Sequence, residues 1–154
     1  VEEEGLMLAE NIIRRVVARV MVPFIQLFGL YVIMHGDSSP GGGFQGGVIL
    51  GASIILYAII FGRRAARKRF AQAAGDVYNS SGLLIYALVG LACIFFGGSY
   101  LEYDVLPIGE PHYASHIGIL AIEIGVGMTV AAVMSTIYFE MSRRKEPRRG
   151  EEKG

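Results

Sequence analysis

At 154 residues the chain has the length of one ordinary domain, yet 53% of it is hydrophobic, only 18% is charged, and 21 residues are glycine. That mixture fits a membrane protein and excludes a disordered tail, while a formal net charge of zero leaves no basic excess to hold nucleic acid. The single cysteine, Cys93, excludes a disulfide scaffold and reads, in its apolar run, as a small buried hydrophobe.

A helix that crosses a bilayer needs roughly 20 mostly apolar residues. Four stretches qualify, at about residues 16–34, 46–62, 82–100 and 117–141. In each, the apolar side chains surround the helix rather than forming one stripe, as lipid on one side and helices on the other require. The expected fold is an all-α integral membrane protein, a single four-helix domain with a basic loop at 63–81 and a basic tail at 142–154. The acidic start, Glu2 to Glu4, lacks the layout of a removable signal peptide, so the first span is expected to remain in the mature chain.

Orientation follows from the cations, because Lys and Arg near span ends stay on the cytoplasmic side. Arg14, Arg15 and Arg19 open the first span; Arg63, Arg64, Arg67, Lys68 and Arg69 follow the second; Arg143, Arg144, Lys145, Arg148, Arg149 and Lys153 follow the fourth. These are all 14 Lys and Arg residues. The loops at 35–45 and 99–116 have none, which puts both termini in the cytoplasm of a multi-pass plasma-membrane protein and those loops outside. The run from Arg63 to Arg69 reads as a cytoplasmic anchor against the lipid surface.

The first outer loop runs His35, Gly36, Asp37, Ser38, Ser39, Pro40, Gly41, Gly42, Gly43, Phe44, Gln45, Gly46, Gly47. A phosphate-binding loop would need a Lys followed by Ser or Thr, and no cation is present. Glycine density of this kind predicts a tight or partly re-entrant turn packed on neighbouring backbone, with a simple turn and a direct functional role both open. Gly43, Gly47 and Gly51 then recur every four residues along one face of the second span, and Ala121, Gly125 and Thr129 do so in the fourth. Small residues at that spacing let helices approach closely, so the bundle is expected to dock on partner subunits.

In the second outer loop Glu102, Asp104 and Glu110 read as ordinary loop solvation. His112 and His116, four apart, would share a face only on a helix, and Pro111 argues against a metal site. Glu123 lies inside the fourth span. A carboxylate there costs a few kcal/mol on insertion scales and faces a water-filled path, carries a proton, or joins helices as a polar contact. It is the one charge of the 28 assigned neither to the cytoplasmic side nor to an outer loop.

The run from Gly36 to Gly47, between a first and a second membrane helix, resembles the signature of the B subunit of Mrp-type multisubunit sodium/proton antiporters. Related subunits occur in archaeal membrane-bound hydrogenase and sulfur-reductase complexes. The family pattern reads Gly-His-x-x-Pro-Gly-Gly-Gly-Phe; here Asp37 stands in the His position, while Pro40, Gly41, Gly42, Gly43 and Phe44 match. The resemblance implies a non-catalytic subunit of an assembly that moves Na+ or H+, with no cofactor of its own and other membrane subunits, or a redox module, as partners. Glu123, Asp37 and His35 are the candidates for an ion or proton pathway. Pro40, Gly41, Gly42, Gly43, Phe44, Gly46, Gly47 and Gly51 are the candidates for its shaping and packing. A purely structural scaffold is the remaining reading.

Overall fold

Runs of apolar residues without strand-type alternation fold here as helices, several longer than a bilayer is thick. The computed structural model describes residues 2–38, 40–70, 72–107 and 111–143. Expectations resting on Ser39, on Glu110 and on the tail beyond residue 143 lie outside the described residues. The elements are α1 (Glu2–Met34), α2 (Gly43–Phe61), a short α3 (Arg63–Arg69), α4 (Gln72–Phe95) and α5 (Pro111–Arg143), with one turn of 3-10 helix at Tyr103–Val105 before α5. Among the described residues, four segments are long and apolar enough to cross a membrane: Glu10–Met34, Gly43–Phe61, Gly75–Phe95 and His112–Ser142.

Two boundaries differ from the sequence expectation for physical reasons. The stretch 63–81, expected as a loop, is helical over α3 and the first turns of α4. Asp76, Asn79 and Ser80 make that stretch look like a loop, yet all three are exposed side chains on a continuing helix. The third span also stops at Phe95, short of Tyr100. Gly97 adopts φ 88°, its N–H donates to the Ile94 carbonyl at 3.0 Å, and the Gly98 N–H donates to the Cys93 carbonyl at 3.0 Å. This is a Schellman cap, in which a left-handed glycine ends the helix. At the start of α5, Pro111 takes a first-turn position, where its fixed φ and missing N–H are tolerated.

The helices stand in the order α1, α2, α5, α4, each packed on the next, with α5 also touching α1 where Ile33 meets Gly127. At one end lie the 35–42 loop and the segment from Phe96 to Leu106. At the other, Arg67 pairs with Glu140 at 3.6 Å and sets its guanidinium 5.5 Å from the Phe139 ring, which ties α3 to the end of α5. Side chains in the interior are mostly small, among them Ala18, Ala58, Ala66, Cys93, Ala114 and Ala132. The large apolar ones face outward: Phe24, Leu27 and Phe28 on α1 and Leu83, Leu84 and Leu88 on α4 are all more than half exposed. Where the surroundings are hydrocarbon, this distribution suits close helix packing inside and lipid or neighbouring helices outside.

The glycine face of α2 is occupied within the chain. A Cβ built on Gly47 would lie 2.7 Å from the Gly127 carbonyl oxygen, and one on Gly51 would lie 3.1 Å from the Met134 Cβ. The expectation that these residues dock on partner subunits is therefore corrected: they bring α2 against α5. Gly46, one residue round from that face, does the same against α1, where its added Cβ would lie 2.7 Å from the Gly29 carbonyl oxygen.

Candidate functional site

The glycine-rich loop and the membrane carboxylate, separate features in the sequence, meet in space. After α1 the chain turns through hydrogen bonds from the His35 N–H to the Tyr31 carbonyl (3.1 Å) and from the Ser38 N–H to the His35 carbonyl (3.2 Å). It then enters α2 through Gly42, at φ 102°, a backbone angle that favours glycine. This path lays the loop directly on Glu123. A Cβ added to Gly36 would overlap the Glu123 carboxylate, and one added to Gly42 would stand 2.8 Å from its Oε1. A Cβ on Gly43 would overlap the Glu123 carbonyl oxygen and lie 2.8 Å from its Cα. Hydrogen is the only side chain that fits at these positions.

The carboxylate held in this way is not fully hydrogen-bonded. Glu123 Oε2 is buried and has no hydrogen-bond partner among the described residues. The positive end of the α2 dipole lies beside it, which favours negative charge there. Asp37 is near enough to act on Glu123 electrostatically, and Asp37 Oδ2 lies 3.2 Å from His116 Nδ1. His116 and Glu123 are seven residues apart, close to two helical turns, and so share a face of α5. The loop after α1 and α5 thus bring Asp37 against His116 at this end of the bundle, both partly exposed, with Glu123 about two helical turns farther along α5.

His35 lies along α1. Its Nδ1 is 3.1 Å from the Tyr31 carbonyl and its ring stacks on Tyr31 with centroids 4.1 Å apart. Pro40 and Gly41 are exposed, and Phe44, 63% exposed, faces the surroundings. Gly42, Gly43, Gly46, Gly47 and Gly51 are buried. His112 and His116 do sit on a helix, but His116 is engaged by Asp37, and no group of three potential metal ligands occurs among the described residues. The pairing of His116 with Asp37 was missed in the sequence; its one signal there is the seven-residue spacing to Glu123.

The segment between α4 and α5 supports the same end of α5. Ser115 Oγ donates to Asp104 Oδ1 at 2.6 Å, the Ser99 N–H donates to Glu102 Oε2 at 2.6 Å, and Gly118 makes room for the Tyr103 ring. Burial pushes the Tyr103 hydroxyl above its ordinary pKa, aided by Cys93 and by Tyr86 and Tyr100. Asp104 and Glu102 therefore close the loop structurally.

Residues 13–136 match the family model described as a domain related to the MnhB subunit of Na+/H+ antiporter. The chain belongs to this family. A putative antiporter subunit mnhB2 of Staphylococcus haemolyticus is 31% identical over 140 residues, covering 88% of this chain and 96% of the relative. The B subunit of the Na(+)/H(+) antiporter of Bacillus subtilis is 32% identical over 119 residues, covering 69% of this chain and 80% of the relative. An uncharacterized protein of Methanocaldococcus jannaschii is 34% identical over 125 residues, covering 76% of this chain and 47% of that longer protein. The resemblance carried by the Gly36–Gly47 run is thereby established for the MnhB-family chain. Both the Glu123 site and the glycines that hold it lie within the matched residues.

Proposed function

We propose that this MnhB-family chain is a non-catalytic, multi-pass subunit of a multisubunit sodium/proton antiporter in the plasma membrane. In this reading Glu123, with the Asp37–His116 pair at its outer side, forms one wall of a Na+ or H+ pathway at the interface with other membrane subunits. The observation that carries the proposal is the buried, unpartnered Oε2 of Glu123 beneath a loop made of glycine. An intramembrane carboxyl group usually faces a water-filled path or pairs with another polar group, and Oε2 pairs with none among the described residues. His35 stands at the start of the loop, on the same side.

The proposed orientation puts both termini and α3 in the cytoplasm, since Arg63, Arg64, Arg67, Lys68 and Arg69 all cluster at the end opposite the 35–42 loop. Asp37 and His116 then face outward, toward the external ion supply. The other membrane subunits drive the exchange, and this chain supplies a carboxylate held at fixed depth.

Glu123→Gln in the intact complex tests the reading. It keeps shape and removes charge, so sodium-dependent proton movement in vesicles is expected to fall at least tenfold, about 1.4 kcal/mol or more on the rate-limiting step, while the complex still assembles. Unchanged transport with normal assembly would reject the ion role. Copurification of a nickel or iron-sulfur protein with the chain would place the same site in a redox-driven pump.

A further inference from the structure

Below the seam between α2 and α5, on the side where α4 begins, the helices part and leave a partly enclosed groove of about 550 Å³. Its lining includes Leu30, Leu50, Met128 and Ala132, and it ends at Arg69 and Glu140. The walls are apolar and the mouth is charged. Of the mouth groups, Glu140 is paired with Arg67, while Lys68 and Arg64 are exposed close by on α3 and Asp76 is exposed on α4. The local balance is positive.

Length decides what fits. Met128 and Glu140 are 12 positions apart on α5, so the groove runs roughly 18 Å along the helix. Half of a hydrocarbon core of about 30 Å is close to that. A partner helix would need a groove through both leaflets, but the α5 residues that line this one run only from Met128 to Glu140. One leaflet of depth, an apolar floor and a cationic mouth at the basic end together describe a lipid.

We propose that the groove binds an anionic phospholipid of the leaflet on the basic side, one acyl chain lying between α1, α4 and α5 and the phosphate held at Arg69. Arg69 also stands 5.7 Å over the Tyr57 ring, which orients its guanidinium at the mouth. The site is independent of Glu123 and of any ion path.

The test uses the full chain within the complex that copurifies with it, reconstituted with photoactivatable phosphatidylglycerol or, in parallel, phosphatidylcholine. Cross-links from phosphatidylglycerol are expected on α4 and the second half of α5, and Arg69→Gln should lower them about fivefold, the usual weight of one cation near a lipid surface. Arg69→Lys should restore most of them. Gly75→Leu places a bulky side chain at the groove wall, where a Cβ at Gly75 meets only Thr136 Oγ1, at 3.8 Å; it should abolish labelling by either lipid while the melting temperature holds. Equal labelling by the two lipids, labelling that survives Gly75→Leu, or cross-links from a Gly75→Cys probe to a protein helix in place of lipid would overturn the proposal.

Discussion

The helix α5 has a neighbour on each side, and the two seams are built differently. Against α2 the approach is close at three successive levels, Gly43 on the Glu123 backbone, Gly47 on Gly127 and Gly51 on Met134, over eight residues or about 12 Å. Against α4 there is one such level, where Gly82 lies against the Gly125 carbonyl and Thr129, and beyond it the lipid-sized groove opens. The tight seam carries the carboxylate. A carboxyl group in a membrane needs its surroundings fixed, and backbone-to-backbone contact fixes them better than flexible side chains do.

The largest effect should come from breaking the tight seam. Gly43→Leu puts a branched side chain where even a Cβ overlaps the Glu123 carbonyl. Overpacking of this sort costs about 1–3 kcal/mol in soluble cores, and more where backbone must move. The complex should lose assembly or melt well below the parent, as followed by size-exclusion after heating. Gly75→Ala, on the loose seam, should leave the melting temperature unchanged or slightly raised, since it improves helix propensity by up to about 1 kcal/mol in open space. Equal damage from both would mean that the seams do not differ.

Next in size is Gly36→Ala. Its methyl group would overlap the Glu123 carboxylate, so the loop or the carboxylate must shift. Transport in vesicles should fall as far as in Glu123→Gln, although the ionisable group is still present. If Gly36→Ala transports normally, the loop does not set the position of the carboxylate. Smaller again is His116→Gln, which breaks an exposed pair worth roughly 0.5 kcal/mol or less. Its melting temperature should barely change, and any loss of transport would then tie the Asp37–His116 pair to the proposed ion path.

The spans were legible because hydropathy over about 20 residues is a strong signal. The overrun of α4 across 72–81 was not, because Asp76, Asn79 and Ser80 have the polarity of a loop, and only backbone hydrogen bonding separates a wet helix from a turn. Glu123 could be singled out from its cost alone. What surrounds it could not, since a stripe such as Gly43, Gly47 and Gly51 says which face is small and leaves open which helix meets it. The same limit produced the expectation of partner docking for residues that the chain uses on itself. Asp37 stands in the family's His position, and its contact with His116 Nδ1, 3.2 Å away on α5, could not be read from the sequence.

The smallest prediction separates close approach from polar attraction in the loose seam. Thr129 Oγ1 donates to its own helix at the Gly125 carbonyl (3.0 Å) and reaches the Asn79 carbonyl across the seam at 3.5 Å, a long contact. Thr129→Val keeps the shape and deletes the hydroxyl. Hydrogen bonds between membrane helices average about 0.6 kcal/mol, and this one is at the weak end. Both carbonyls retain access to backbone donors one turn on, so a loss near or below that average is expected in the melting temperature. Gly82→Ala should be worse, because its methyl group would overlap both Thr129 Oγ1 and the Gly125 carbonyl. If Thr129→Val proved as damaging as Gly82→Ala, the α4–α5 seam would be held by the hydroxyl, and the contrast with α2 would be one of chemistry rather than of distance.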